Sequence, residues 1–89
     1  MEYQFCNNIF LMTEEEGGIL FNQTTEQFYG LDKVGCAICQ AIEKKYSREQ
    51  IISYVMDRFE VEYGQVSCDV ERLIDLLVSK NLVSVADEK

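Results

Sequence analysis

The hydrophobic pattern changes period once along this chain, at Lys33, and that change limits the folds open to it. Before Lys33 the apolar residues come in short runs divided by turn formers. Asn8 to Thr13 suits a strand. Glu14-Glu15-Glu16-Gly17-Gly18 follows as a solvated turn ending in two residues that tolerate positive φ. Ile19-Leu20-Phe21 is a second strand, Asn22 to Thr25 the next turn, and Gln27-Phe28-Tyr29-Gly30-Leu31 a third strand rich in aromatics. Three short strands with tight connections predict an antiparallel meander.

After Lys33 the spacing is helical. Val34, Ala37, Ile38, Ala41 and Ile42 share one face, and Asp32 stands where a cap is needed. Ser47-x-x-Gln50 has the form of a capping box for a second helix carrying Ile51, Ile52, Val55, Met56 and Phe59. Glu60 to Gly64 closes that helix. A third runs from about Val66 to Lys80, with Val66, Val70, Leu73, Ile74 and Leu77 as its stripe; Leu82-Val83 extends past it and Val85 can pack as well. No helix can bury its stripe alone, so the expected arrangement packs all three on one face of the sheet. The fold class is α+β and winged-helix-like: a three-stranded antiparallel sheet followed by a three-helix bundle.

With 89 residues the chain is expected to form one domain, residues 1–89, whose core is too small for a large pocket. No apolar run approaches the roughly 20 residues that cross a bilayer. The Met1 to Cys6 segment lacks a basic and an apolar signal region, so a cytoplasmic location is expected. Histidine is absent, which removes serine–histidine and cysteine–histidine catalysis within the chain. A net charge of −8 opposes phosphate binding and suits a cationic partner. Cys36-x-x-Cys39 has the spacing of half a zinc site or a redox pair, but Cys6 and Cys68 stand alone; buried reduced thiols are the simpler reading. No metal and no cofactor is expected.

Tyr29-Gly30-Leu31-Asp32-Lys33-Val34-Gly35-Cys36 resembles the signature of the PqqD-like family: an aromatic, a spacer, Leu, Asn or Asp, two spacers, Gly, then a small residue. Phe59-Glu60-Val61, Asp69-Val70 with Leu73-Ile74 and Leu77, and Asn81-Leu82-Val83 resemble later parts of the pattern, so the likeness spans about Ile19 to Val83. The sequence departs from it at Cys39, where many members have a bulky apolar residue, and at Asn81, where Gly is usual. Under this alignment both Cys36 and Cys39 take core positions.

The resemblance implies a RiPP recognition element. Such a protein is a non-catalytic adaptor that binds the leader segment of a ribosomally made precursor. It presents that precursor to a leader protease or another modifying enzyme, as in lasso-peptide or PQQ biosynthesis. The implied mode is strand addition to the edge of the third strand, Gln27, Phe28, Tyr29, Gly30 and Leu31, beside the third helix. Phe28 and Tyr29 point to opposite faces, so one of them can share the groove, and Leu31 is expected to serve the core. Gly30 offers either a close approach or a bulge. On the third helix Leu76 lies about 100° from the centre of the stripe, and Asp69 and Leu73 share that flank, as a groove wall or as ordinary surface. The competing readings are a winged-helix DNA-binding regulator, which the charge opposes, and a small redox or metal protein using Cys36 and Cys39.

Overall fold

The computed structural model describes residues 2–86. In chain order the elements are β1 (Glu2–Phe5), β2 (Ile9–Glu14), β3 (Gly17–Asn22), β4 (Gln27–Leu31), α1 (Lys33–Glu43), α2 (Arg48–Arg58), α3 (Tyr63–Ser79) and β5 (Val83–Ala86). The meander is present as an antiparallel sheet in the order β2-β3-β4, and the fold is α+β as its pattern predicts. Its register pairs Leu11 with Leu20 and Leu20 with Tyr29, and Phe10 with Phe21 and Phe21 with Phe28. Successive residues point to opposite faces. One face therefore carries Leu11, Leu20 and Tyr29, and the other carries a row of three phenylalanines.

The turn glycines have separate tasks. Gly17 is at φ +145, and a Cβ there would collide with the Leu31 carbonyl oxygen. Gly18 is not at positive φ. A Cβ on it would lie 2.8 Å from Cys36 Sγ, so its bare backbone lets α1 lie close on β3.

The helices begin and end for local reasons. The Asp32 carboxylate accepts a hydrogen bond from the Gly35 N–H at 2.7 Å and caps α1. Ser47 and Gln50 form the reciprocal capping box of α2. At the end of α3, Asn81 takes φ 62, the Leu82 N–H donates to the Leu77 carbonyl and the Asn81 N–H to the Val78 carbonyl. This Schellman pattern closes the helix and turns Leu82 into the core.

Three expectations need correction. The helices do not all pack on the sheet: α1 lies on it, α2 packs on α1, and α3 packs on α2 and β5. The core accordingly lies between α1 and its neighbours, with Leu20, Ile38, Ile42, Ile51, Ile52, Val55, Val66, Val70 and Leu82 almost fully buried. The third helix starts at Tyr63, and α2 ends at Arg58, so Gly64 opens a helix instead of closing one. Glu62 makes no side-chain cap and Gly64 is a poor helix former, which hid this start. Finally, Glu2–Phe5 and Val83–Ala86 pair as a separate antiparallel ribbon, burying Tyr3 and Val83 while Val85 stays exposed.

Candidate functional site

A two-way consequence of strand order is that β4 is an edge strand, with β3 on one side only. Among the described residues, no strand pairs with the main-chain groups of its outer edge. Beside the end of β4 the chain forms an open groove of about 440 Å³. It is lined by Gly30 and Leu31 from β4, Asp32, Val34, Gly35 and Ile38 from the entry to α1, and Asp69, Arg72, Leu73 and Leu76 from α3. Lys80, just past α3, lies with its Nζ 5.7 Å from the centre of the Tyr29 ring. The end of β4 and the Asp69–Leu76 stretch of α3 thus flank one groove.

Five of the eight residues expected at the site meet in this groove: Gly30, Leu31, Asp69, Leu73 and Leu76. Leu76 is 49% exposed although it stands on the flank of the core stripe, so an apolar side chain is presented to solvent inside a concavity. Leu73 is half-buried and packs on the core. Asp69 accepts a hydrogen bond from Gln65 Nε2 at 3.0 Å, which leaves acceptor capacity on the carboxylate. Asp32 also lines the groove; its cap bond to Gly35 uses one carboxylate oxygen and, as at Asp69, leaves acceptor capacity.

Gln27, Phe28 and Tyr29 lie on β4 but outside the cavity. The register decides between the two aromatics. Tyr29 faces the helix side opposite Leu20, is half-buried, and donates its hydroxyl hydrogen to Gln27 Oε1 at 2.8 Å. Phe28 faces the other way and stacks on Phe21 with ring centres 4.7 Å apart. Gly30 has no heavy atom within 4 Å of a built Cβ and does not adopt positive φ. Neither internal packing nor an unusual turn requires glycine there.

Val34, Gly35, Ile38 and Arg72 are groove residues that pattern reading did not single out. Val34 and Ile38 were absorbed into the core stripe of α1. Arg72 follows Asp69 by three positions and precedes Leu76 by four, a spacing that places it on the same flank.

The cysteines are free. Cys36 and Cys39 are both buried on α1, and Cys36 lies against Gly18 of β3. Burial, with added repulsion from Cys36 and Glu43, pushes the Cys39 thiol up to about 12; burial and then Glu43 raise that of Cys36. A raised thiol is a poor nucleophile and a poor metal ligand. Among the described residues no group of three His, Cys, Asp or Glu side chains converges as a metal site would need. No helix there is long and apolar enough to cross a membrane.

Comparison with known proteins agrees with the fold. Residues 17–83 match the family model described as Coenzyme PQQ synthesis protein D (PqqD). No curated protein matches the chain in sequence. Two solved structures share its fold. One is TbiB1 in complex with the TbiA(beta) leader peptide, at TM-score 0.81 and 20% identity, covering 96% of this chain and 99% of that chain. The other is a lasso peptide synthetase B1 complexed with the leader peptide, at TM-score 0.80 and 16% identity, covering 96% and 100%.

Proposed function

The chain belongs to the PqqD family, and from that premise we propose that it is a non-catalytic adaptor for the leader segment of a ribosomally synthesised precursor peptide. The observation that carries this reading is the unpaired edge of β4 running beside the groove of α3. Both structural neighbours hold a leader peptide, which supports it. The adaptor acts as one domain over residues 1–89 in the cytoplasm, and hands the precursor to a leader protease or another modifying enzyme.

The leader adds as a fourth strand antiparallel to Gln27–Leu31. Fixing the backbone of a five-residue segment costs roughly 5–10 kcal/mol. Four or five main-chain hydrogen bonds return only about 2–7 kcal/mol. Strand pairing alone therefore sets register without giving useful affinity, and the difference must come from side chains. Alternate leader residues fall on the helix side of the sheet. There they meet Tyr29, Leu31 and the apolar wall of Val34, Leu73 and Leu76, where each buried methylene contributes about 0.8 kcal/mol. Asp69 and Arg72 offer one carboxylate and one guanidinium at the rim for polar leader groups. Gly30 keeps the edge open to a close backbone.

The test is calorimetry with the cognate leader peptide. Leu76→Glu replaces an apolar wall residue with a hydrated charge and should weaken binding by at least about tenfold, roughly 1.4 kcal/mol. Asp69→Ala should weaken it less. Unchanged affinity in Leu76→Glu, with folding intact, would remove the α3 wall from the site.

A further inference from the structure

The sheet has a second apolar surface that the leader groove does not use. Phe10, Met12, Ile19, Phe21, Phe28 and Gly30 all point away from α1, as the β2-β3-β4 register requires. Phe10 is 48% exposed, Met12 45% and Phe28 63%, so both ends of the phenylalanine row stand in water with half-buried Phe21 between them. Both ends of this face are acidic: Glu14, Glu15 and Glu16 at one, Glu26 at the other. The first 32 residues contain six carboxylates and no Lys or Arg. The first base, Lys33, lies 3.5 Å from Glu16.

An apolar patch with a polar rim marks a protein contact. Its size and charge indicate which kind. Three strands about 4.8 Å apart and five residues long cover roughly 250 Å². A stable interface needs about 800 Å² per partner. Two copies meeting face to face would therefore be too small an interface, and their acidic rims would repel. A leader strand paired with β4 adds its alternate side chains beside Phe28 and brings the face to roughly 330 Å², so the rest of a stable contact must fall on the acidic rims, which repel a second copy and attract a basic partner.

We propose that the outer face of β2-β3-β4 is the docking surface for the enzyme that acts on the precursor. The matching surface on that enzyme is an apolar strip flanked by Lys and Arg. The proposal rests on the adaptor reading, and it explains how one small domain holds a leader and an enzyme together: the leader enters on the helix side of β4, and the enzyme reads the opposite face with the leader's outward side chains. The enzyme consequently binds the leader-loaded chain more tightly than the free chain.

The experiment uses the purified chain, the leader peptide of its precursor, and the purified enzyme that cleaves or modifies that precursor. Enzyme affinity is measured on free and leader-loaded chain separately. Phe10→Ser with Met12→Ser lies two strands away from the β4 edge. It should leave leader affinity within twofold and lower enzyme affinity at least tenfold. Glu14→Lys with Glu15→Lys changes charge on exposed positions without touching the core, and should lower enzyme affinity several-fold; raising salt from 50 to 500 mM should do the same to the parent chain. Enzyme affinity unaffected by either pair overturns the proposal. So does a dimer of the parent chain at 100 μM, seen by sedimentation and lost in Phe10→Ser with Met12→Ser, because a second copy then covers the face. A leader that fails to bind the parent chain overturns the adaptor reading instead, and the enzyme affinity of the free chain still tests the face.

Discussion

The two faces of the β2-β3-β4 sheet are built from the same kind of residue and have opposite fates. On the helix side Leu20 is fully buried beneath α1, and Gly18 is kept bare so that Cys36 can approach. On the other side Phe21 packs against its cross-strand neighbour Phe28, and Phe10 and Met12 are about half exposed. Apolar residues on both faces usually signal a strand covered on both. Here only one helix is available to cover the sheet, because α2 and α3 pack on helix and ribbon. Most of the burial therefore lies on one face, and the other is left largely uncovered.

The largest expected effect separates the faces by stability. Leu20→Ala should lower the urea unfolding free energy by about 2–5 kcal/mol through lost transfer and a cavity. Phe10→Ser should cost less than about 1 kcal/mol, because its ring is already half in water. Similar costs for the two would show that the outer face is covered in solution and would break the comparison.

A smaller effect sharpens it within the helix-side core. The Cys39 thiol is raised from 9.0 to about 12 by burial. Its neutral form is favoured in the folded state. The corresponding stability is fully present below pH 9.0, the unfolded value, and is lost as pH rises toward 12. Unfolding midpoints should fall over that window more steeply in the parent chain than in Cys39→Ala, and neither Cys36 nor Cys39 should react quickly with an alkylating agent before denaturation. Equal slopes and fast labelling would mean that α1 does not seal this side.

Much of this architecture was legible in the sequence because its signals are local. The range Gln27–Leu31, the Asp32 cap and the Ser47–Gln50 box each depend on residues a few positions apart. The flank of Asp69, Leu73 and Leu76 follows from helical spacing alone. What escaped was non-local. Tyr3 pairs with Val85 across more than eighty residues, and neither four-residue strand has a pattern of its own. Whether Phe28 or Tyr29 faced the helices depended on cross-strand register, and which helix covered the sheet depended on packing between helices. The uncovered phenylalanine row was illegible for the same reason: alternation shows that two faces are apolar, and only the third dimension shows which one is buried.

The central claim is that a leader peptide adds to the β4 edge beside α3. An amide chemical-shift map of the isotopically labelled chain, titrated with its cognate leader, tests it most directly. The account predicts the strongest perturbations at Gln27–Leu31 and along Asp69–Leu76, with the β1–β5 ribbon and α2 little changed. Perturbations confined to β1 or α2, with Gln27–Leu31 and Asp69–Leu76 silent, would contradict it.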